Sequence, residues 1–217
     1  MTTRLCLSLG AALALAACSA LPDKPTRPVA YDFGSSVSAV VSAQTVTAQA
    51  PIALGDIETA GVSDTAAVSY RLQYSDAQQL RPYAMARWTL PPAQLVRQRV
   101  REVLAERRPI VDVDDLLAQQ RTEGRRPRLL RLQLEEFSQV FASPGQSEGV
   151  LRLRATLVEN TPLGDSFVGQ RLFAVRQPAA SADAAGGVQA LAAATDAAAA
   201  QIDAWLVQLA PTGMVKP

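Results

Sequence analysis

The chain has 217 residues, with 21 Lys+Arg against 20 Asp+Glu and no histidine, for a formal charge of +1. Near-neutrality leaves no global field to gather nucleic acid. The missing imidazole removes the commonest general base, the commonest transition-metal ligand and every Ser-His or Cys-His nucleophile.

The first element in chain order is the apolar run Leu5 to Ala17 behind Arg4. It is shorter than the roughly 20 residues that span a bilayer and reads as a secretory signal over residues 1–17. It ends in Leu15-Ala16-Ala17-Cys18, which resembles the lipobox of bacterial lipoproteins. That resemblance implies a diacylglycerol on the Cys18 thiol and a further acyl chain on its freed amine. At about 0.8 kcal/mol per buried methylene, two or three chains make attachment effectively permanent. Ser19, being non-acidic, implies sorting to the outer membrane, so that the mature chain faces the periplasm from the inner leaflet. Loss of Arg4 leaves 20 basic against 20 acidic residues, and with Cys6 removed and Cys18 acylated the folded part has no thiol, disulfide or thiolate ligand.

Residues 18–28 carry three prolines and read as a lipidated tether. Ten residues at about 3.1 Å each reach roughly 30 Å in a polyproline-like form. One domain is expected over residues 29–210, followed by a tail at 211–217; about 200 residues suffice for a sound core. Strands are expected at Val29 to Phe33, Ile52 to Ile57, Val68 to Tyr74 and Tyr83 to Trp88, while the low-complexity stretch Ser35 to Ala50 yields no assignment. Pro91-Pro92 opens a helix, where a proline without an amide hydrogen costs nothing. Val96, Val100, Val103 and Leu104 form its apolar stripe, with Arg97, Arg99, Arg101 and Glu102 largely on the other faces. Pro109 ends it, and Asp112, Asp114 and Asp115 suit the start of a short second helix.

The second half predicts a three-stranded antiparallel meander. Leu130, Leu132 and Leu134 alternate with polar residues, as do Leu151, Leu153, Ala155 and Leu157, and Ser166 to Val175 supplies the third strand. The phase slips between Leu134 and Phe137, which predicts a bulge. Ser143-Pro144-Gly145 and Pro162-Leu163-Gly164 are the turns. A closing alanine-rich helix runs from about Asp183 to Leu209, with Val188, Leu191, Thr195, Ala198, Ile202, Trp205 and Leu209 on one stripe. The fold class is α+β: a single domain, mostly antiparallel, with two main helices packed on the sheet.

The segment Tyr70-Arg71-Leu72-Gln73-Tyr74-Ser75-Asp76 and the passage Arg87-Trp88-Thr89-Leu90-Pro91-Pro92 leading into the first helix belong to a recognisable order. Phe141-Ala142-Ser143-Pro144-Gly145-Gln146-Ser147 and Val150 to Ala155 continue it. With the lipobox and the last helix, they resemble the ABC-type transport auxiliary lipoprotein family over roughly Val29 to Leu209. The resemblance implies an accessory or docking part of a lipid transport system in which an ABC permease and ATPase work with an MCE-type protein. It also allows a homo-oligomer. The chain has no Gly-x-x-x-x-Gly-Lys-Ser/Thr phosphate loop and so is not the ATPase.

Candidate partner contacts are Trp88, Tyr83, Arg97 and Arg101. Trp88 suits a binding hot spot or a plug between strand and helix, and Tyr70, Tyr74 and Tyr83 suit an exposed patch or a sheet core. Ten arginines against six acidic residues between Arg97 and Arg131 suit phospholipid headgroups, an acidic partner, or merely solvated faces. Asp112, Asp114 and Asp115 imitate a carboxylate metal cluster, but the Gly-containing loop of a Ca²⁺ site is missing. The leading expectation is a non-enzymatic accessory lipoprotein without cofactor, metal or nucleic-acid partner. The alternatives are a periplasmic carrier enclosing an acyl chain and an assembly lipoprotein of another outer-membrane machine.

Overall fold

The computed structural model describes residues 27–34, 49–62, 64–113, 127–161 and 164–209. Its elements are β1 (Val29–Tyr31), β2 (Ile52–Thr59), β3 (Ala67–Leu72), β4 (Leu80–Trp88), α1 (Pro92–Ala105), β5 (Ile110–Asp112), β6 (Arg128–Ser143), β7 (Gln146–Thr161), β8 (Gly164–Pro178) and α2 (Ala184–Gln208). The signal segment, Cys18, most of the tether, Asp114, Asp115 and the tail lie outside the described residues.

The expected meander is present. β6 and β7 pair antiparallel from Leu129↔Val158 to Ser143↔Gln146, and β7 and β8 from Glu148↔Pro178 to Thr161↔Gly164. Pro144 and Gly145 alone bridge the first hairpin. Gly164, at φ +117°, holds a backbone conformation that side-chain-bearing residues avoid. The register of β6 slips between Leu134 and Glu136, where the apolar phase changes. Leu130, Leu132 and Leu134 are buried before the slip, and Phe137, Gln139 and Phe141 after it.

The parallel pairings were not legible in advance. The second edge of β6 is shared: β2 runs parallel to it from Ile52↔Arg128 to Thr59↔Leu134, and β3 from Tyr70↔Gln139 to Leu72↔Phe141. β5 adds parallel to β2, β4 antiparallel to β3, and β1 parallel to β4. The result is one mixed eight-stranded sheet whose two longest ladders are antiparallel. Alternation shows that a strand has one covered face; it carries no information on which strand lies beside it. Asp112, expected to open a helix, is instead the last residue of β5.

Both helices pack against this sheet. Asp183 caps α2 by accepting from the Gly186 N–H at 2.8 Å. From Val188 to Trp205 the predicted stripe is buried, while Leu209 is half-buried. Its alanines permit close approach: a Cβ at Gly149 of β7 would lie 2.6 Å from the Ala190 carbonyl carbon. Further along, Trp205 meets Phe173 edge-on at 5.9 Å. On α1, Val96, Val100 and Leu104 are fully buried. Arg99, placed by its spacing on an outer face, is also buried. It donates to the Phe33 carbonyl at 2.8 Å and pairs with Asp196 of α2 at 3.3 Å, so internal acceptors replace water around its guanidinium.

A second ionic tie joins the end of α1 to α2. Asp203, only 5% exposed, accepts from Arg107 at 2.9 Å and from the buried Arg108. Removing one member of a buried pair strands the other charge. Asp203→Ala is therefore expected to cost about 3–5 kcal/mol of unfolding free energy, and Arg107→Ala, whose side chain is 46% exposed, about 1 kcal/mol or less. Urea unfolding followed by circular dichroism measures both. The same assay should show Gly149→Ala losing about 1–3 kcal/mol, because the new methyl collides with helix backbone.

Candidate functional site

The four candidate contact residues fall into three settings. Trp88, 1% exposed, ends β4 and packs against Phe33 at 5.6 Å and Phe137 at 5.7 Å, so it plugs the joint between strand and helix and offers no surface to a partner. Arg97 and Arg101, one turn apart on α1, converge on Asp112 at 2.9 and 2.7 Å. Arg97 also donates to the Gly55 carbonyl at 3.1 Å, which ties the helix to β2 and β5. Burial pushes the Asp112 carboxyl up, but hydrogen bonds and positive charge from Arg97 and Arg101 outweigh it and hold it below its ordinary value.

Tyr83 belongs to a polar knot inside the sheet. Its hydroxyl donates to Gln139 Oε1 at 2.8 Å, and Gln139 Nε2 donates to Ser147 Oγ at 2.8 Å. Tyr70 stacks against Tyr83 at 4.5 Å and meets Phe141 at 6.0 Å. Burial, with Tyr70 and Asp183 nearby, raises the Tyr83 phenol from 10.0 to about 12. Gln139 is completely buried against Gly187 of α2, so the knot seats the start of that helix.

The two sides of the meander differ in chemistry. On the helix side Leu130, Leu134, Leu151, Leu153, Ala155, Ala194, Ala198 and Ile202 are each 0% exposed. Residues lining a chamber for an acyl chain would keep accessible surface, and these keep none. The opposite side is polar. Glu135, the residue bulged out at the register slip, receives Arg152 at 3.0 Å and Arg154 at 2.6 Å, and Gln170 donates to Thr156 at 2.8 Å. An open hollow of about 600 Å³ lies on this side, lined by the polar Asp56, Glu58, Arg131, Gln133, Arg154 and Gln170 and by the apolar Val113, Leu129 and Leu132.

Sequence reasoning missed this face as a unit. Its signal was the polar half of the alternation, which also appears on any solvated sheet. Nor did spacing foresee that the described arginines between Arg97 and Arg131 would be internally matched: Arg97, Arg99, Arg101, Arg107, Arg108, Arg128 and Arg131 all pair with acidic side chains. Among the described residues no helix is long and apolar enough to cross a membrane, and no cluster of three or more His, Cys, Asp or Glu could hold a metal ion.

Residues 31–203 match the family described as the ABC-type transport auxiliary lipoprotein component. Among solved structures, a Xanthomonas campestris protein described under the family DUF330 superposes with a TM-score of 0.60 at 15% identity, covering 86% of this chain and 90% of that one. An uncharacterized protein gives 0.56 at 12% identity, covering 83% of this chain and 99% of that one. At those identities the likeness concerns the fold. No curated protein matches.

The raised Tyr83 value makes stability fall in alkali. The unfolded phenol ionises near 10 and the folded one near 12, so the neutral knot contributes fully below pH 10 and its contribution is lost between 10 and 12. Absorbance titration at alkaline pH should show one tyrosine ionising about two units late, and Tyr83→Phe should delete that step. Loss of a step at the ordinary position instead would assign the knot differently. Asp112 acts at the other end of the scale: its depressed value stabilises above the ordinary carboxylate range and is lost as pH falls through the folded one.

Proposed function

The chain belongs to the family of ABC-type transport auxiliary lipoprotein components, and from that premise we propose that it is a non-enzymatic docking lipoprotein, held at the outer membrane through acylated Cys18. Its body recruits an MCE-type protein of an ABC lipid transport system on the periplasmic side. Family membership associates the chain with an ABC-type transport system; the lipobox-like Leu15-Ala16-Ala17-Cys18 supports the anchor. One observation carries the docking reading over the carrier reading. The helix side of the sheet is packed to 0% exposure, while the other side of β6, β7 and β8 presents an open polar platform around Glu135, Arg152 and Arg154. A platform of this kind suits electrostatic matching with a partner, which favours orientation and choice of partner more than raw affinity.

Cys18→Ala should leave the fold intact, leave the chain unacylated and impair transport. Normal transport by the unacylated protein would make the anchor dispensable. A photo-reactive residue at Gln170, beside the hollow, should cross-link to a component of the transport system in intact cells. Cross-linking absent at Gln170 but present from the helix side, or stoichiometric phospholipid in the purified domain, would overturn the platform reading.

A further inference from the structure

Among the described residues, five of the eight exposed large apolar side chains lie on one margin of the sheet: Val29 on β1, Tyr74 before β4, Leu80 and Met85 on β4, and Leu90 just beyond it. Met85 is 46% exposed and Val29 54%. Among the described residues β1 ends the strand order on this side and pairs with Ala86, Arg87 and Trp88 of β4, and Leu80 to Met85 continue the edge. Ala67 opposes Arg87 while Ser69 opposes Pro82, so β4 carries extra residues between these points, Met85 among them. Scattered apolar residues are ordinary, but their gathering along one margin calls for an occupant.

Three of the four arginines without an ion pair among the described residues lie on this margin. Arg27 and Arg87 make no ion pair among the described residues, and Arg81 bonds to the neutral Gln79. Most other described arginines are matched, as at Asp112, Asp203 and Glu135, while Arg171 on β8 lies over the Phe173 ring. The neighbouring acids are occupied locally, Asp32 accepting from the Gly34 N–H at 2.8 Å and Asp76 from the Gln78 N–H at 3.0 Å. Chain connectivity supplies the remaining fact. Val29 follows the ten residues 19–28, so the margin starts within roughly 30 Å of Cys18.

We propose that the β1–β4 margin is a bilayer-docking surface: Val29, Leu80 and Met85 enter the headgroup boundary and Arg27, Arg81 and Arg87 meet anionic headgroups. The docking rests on the reading of Cys18 as the anchor. A short tether makes contact with the same membrane effectively intramolecular, so a weak patch suffices.

The test uses the mature chain extracted from membranes and reconstituted in vesicles of phosphatidylethanolamine and phosphatidylglycerol. With no other free thiol in an acylated chain, Met85→Cys takes an environment-sensitive dye at one place, and Arg176→Cys on β8 is the control. The residue-85 dye should shift to the blue and be quenched by spin-labelled lipid, and the residue-176 dye should do neither. Arg27→Ala and Arg87→Ala should each lower the docked-to-undocked ratio about fivefold, and neutral phosphatidylcholine vesicles should do the same more strongly. Intact mass of the same sample reads the anchor separately. An acylated chain whose residue-85 dye stays aqueous overturns the docking and leaves the anchor standing. An unmodified Cys18 overturns the anchor and the docking with it. A dye that shifts only when another envelope protein is added shows a protein contact in place of the lipid.

Discussion

The structure depends on one strand that changes phase. β6 is 16 residues long, and without the slip at Glu135 its second half would turn Phe137, Gln139 and Phe141 to the polar side. The extra residue reverses the alternation, so both halves face the helices. It also divides the far edge of β6 into two docking sites, which β2 and β3 occupy separately. Each then brings its own neighbour, β5 on one side and β4 with β1 on the other. The branching of the sheet follows from that local event.

The same bulge supplies the open face with its charge centre. Glu135, excluded from the ladder, stands where Arg152 and Arg154 of β7 can both reach it. On the covered face the helices are joined by charge as well as by packing. Arg99 reaches Asp196 of α2, and Arg107 and Arg108 grip Asp203. A buried pair adds little net stability against a hydrophobic substitute, but it penalises any arrangement in which its members part. Here that penalty acts on the orientation of α1 relative to α2.

Leu80 of the β1–β4 margin and Glu135 of the polar platform line one hollow beside Arg71 and Pro92, so the two surfaces adjoin. Among the candidate contacts, Trp88, Arg97 and Arg101 serve internal joints, and Tyr83 seats the start of α2 through Gln139. Residue type alone suggested surface roles for them because tryptophan and arginine serve both purposes with the same chemistry. What separates the purposes is whether an internal acceptor lies within reach.

The boundaries of the meander, the bulge near Glu135, the α2 stripe from Val188 to Trp205 and the proline-opened α1 were all readable from the chain. Each depends on neighbours a few residues apart, where periodicity, capping and turn chemistry act. The family was readable too, because its signals are contiguous. Only tertiary structure decided that β2 and β3 join β6 in parallel, that Arg99 is buried on Asp196, and that Arg27 and Arg87, without an ion pair among the described residues, share a margin with Val29 and Met85. Those facts are pairings between residues distant in sequence, and a linear pattern records what each residue prefers without recording what it will meet.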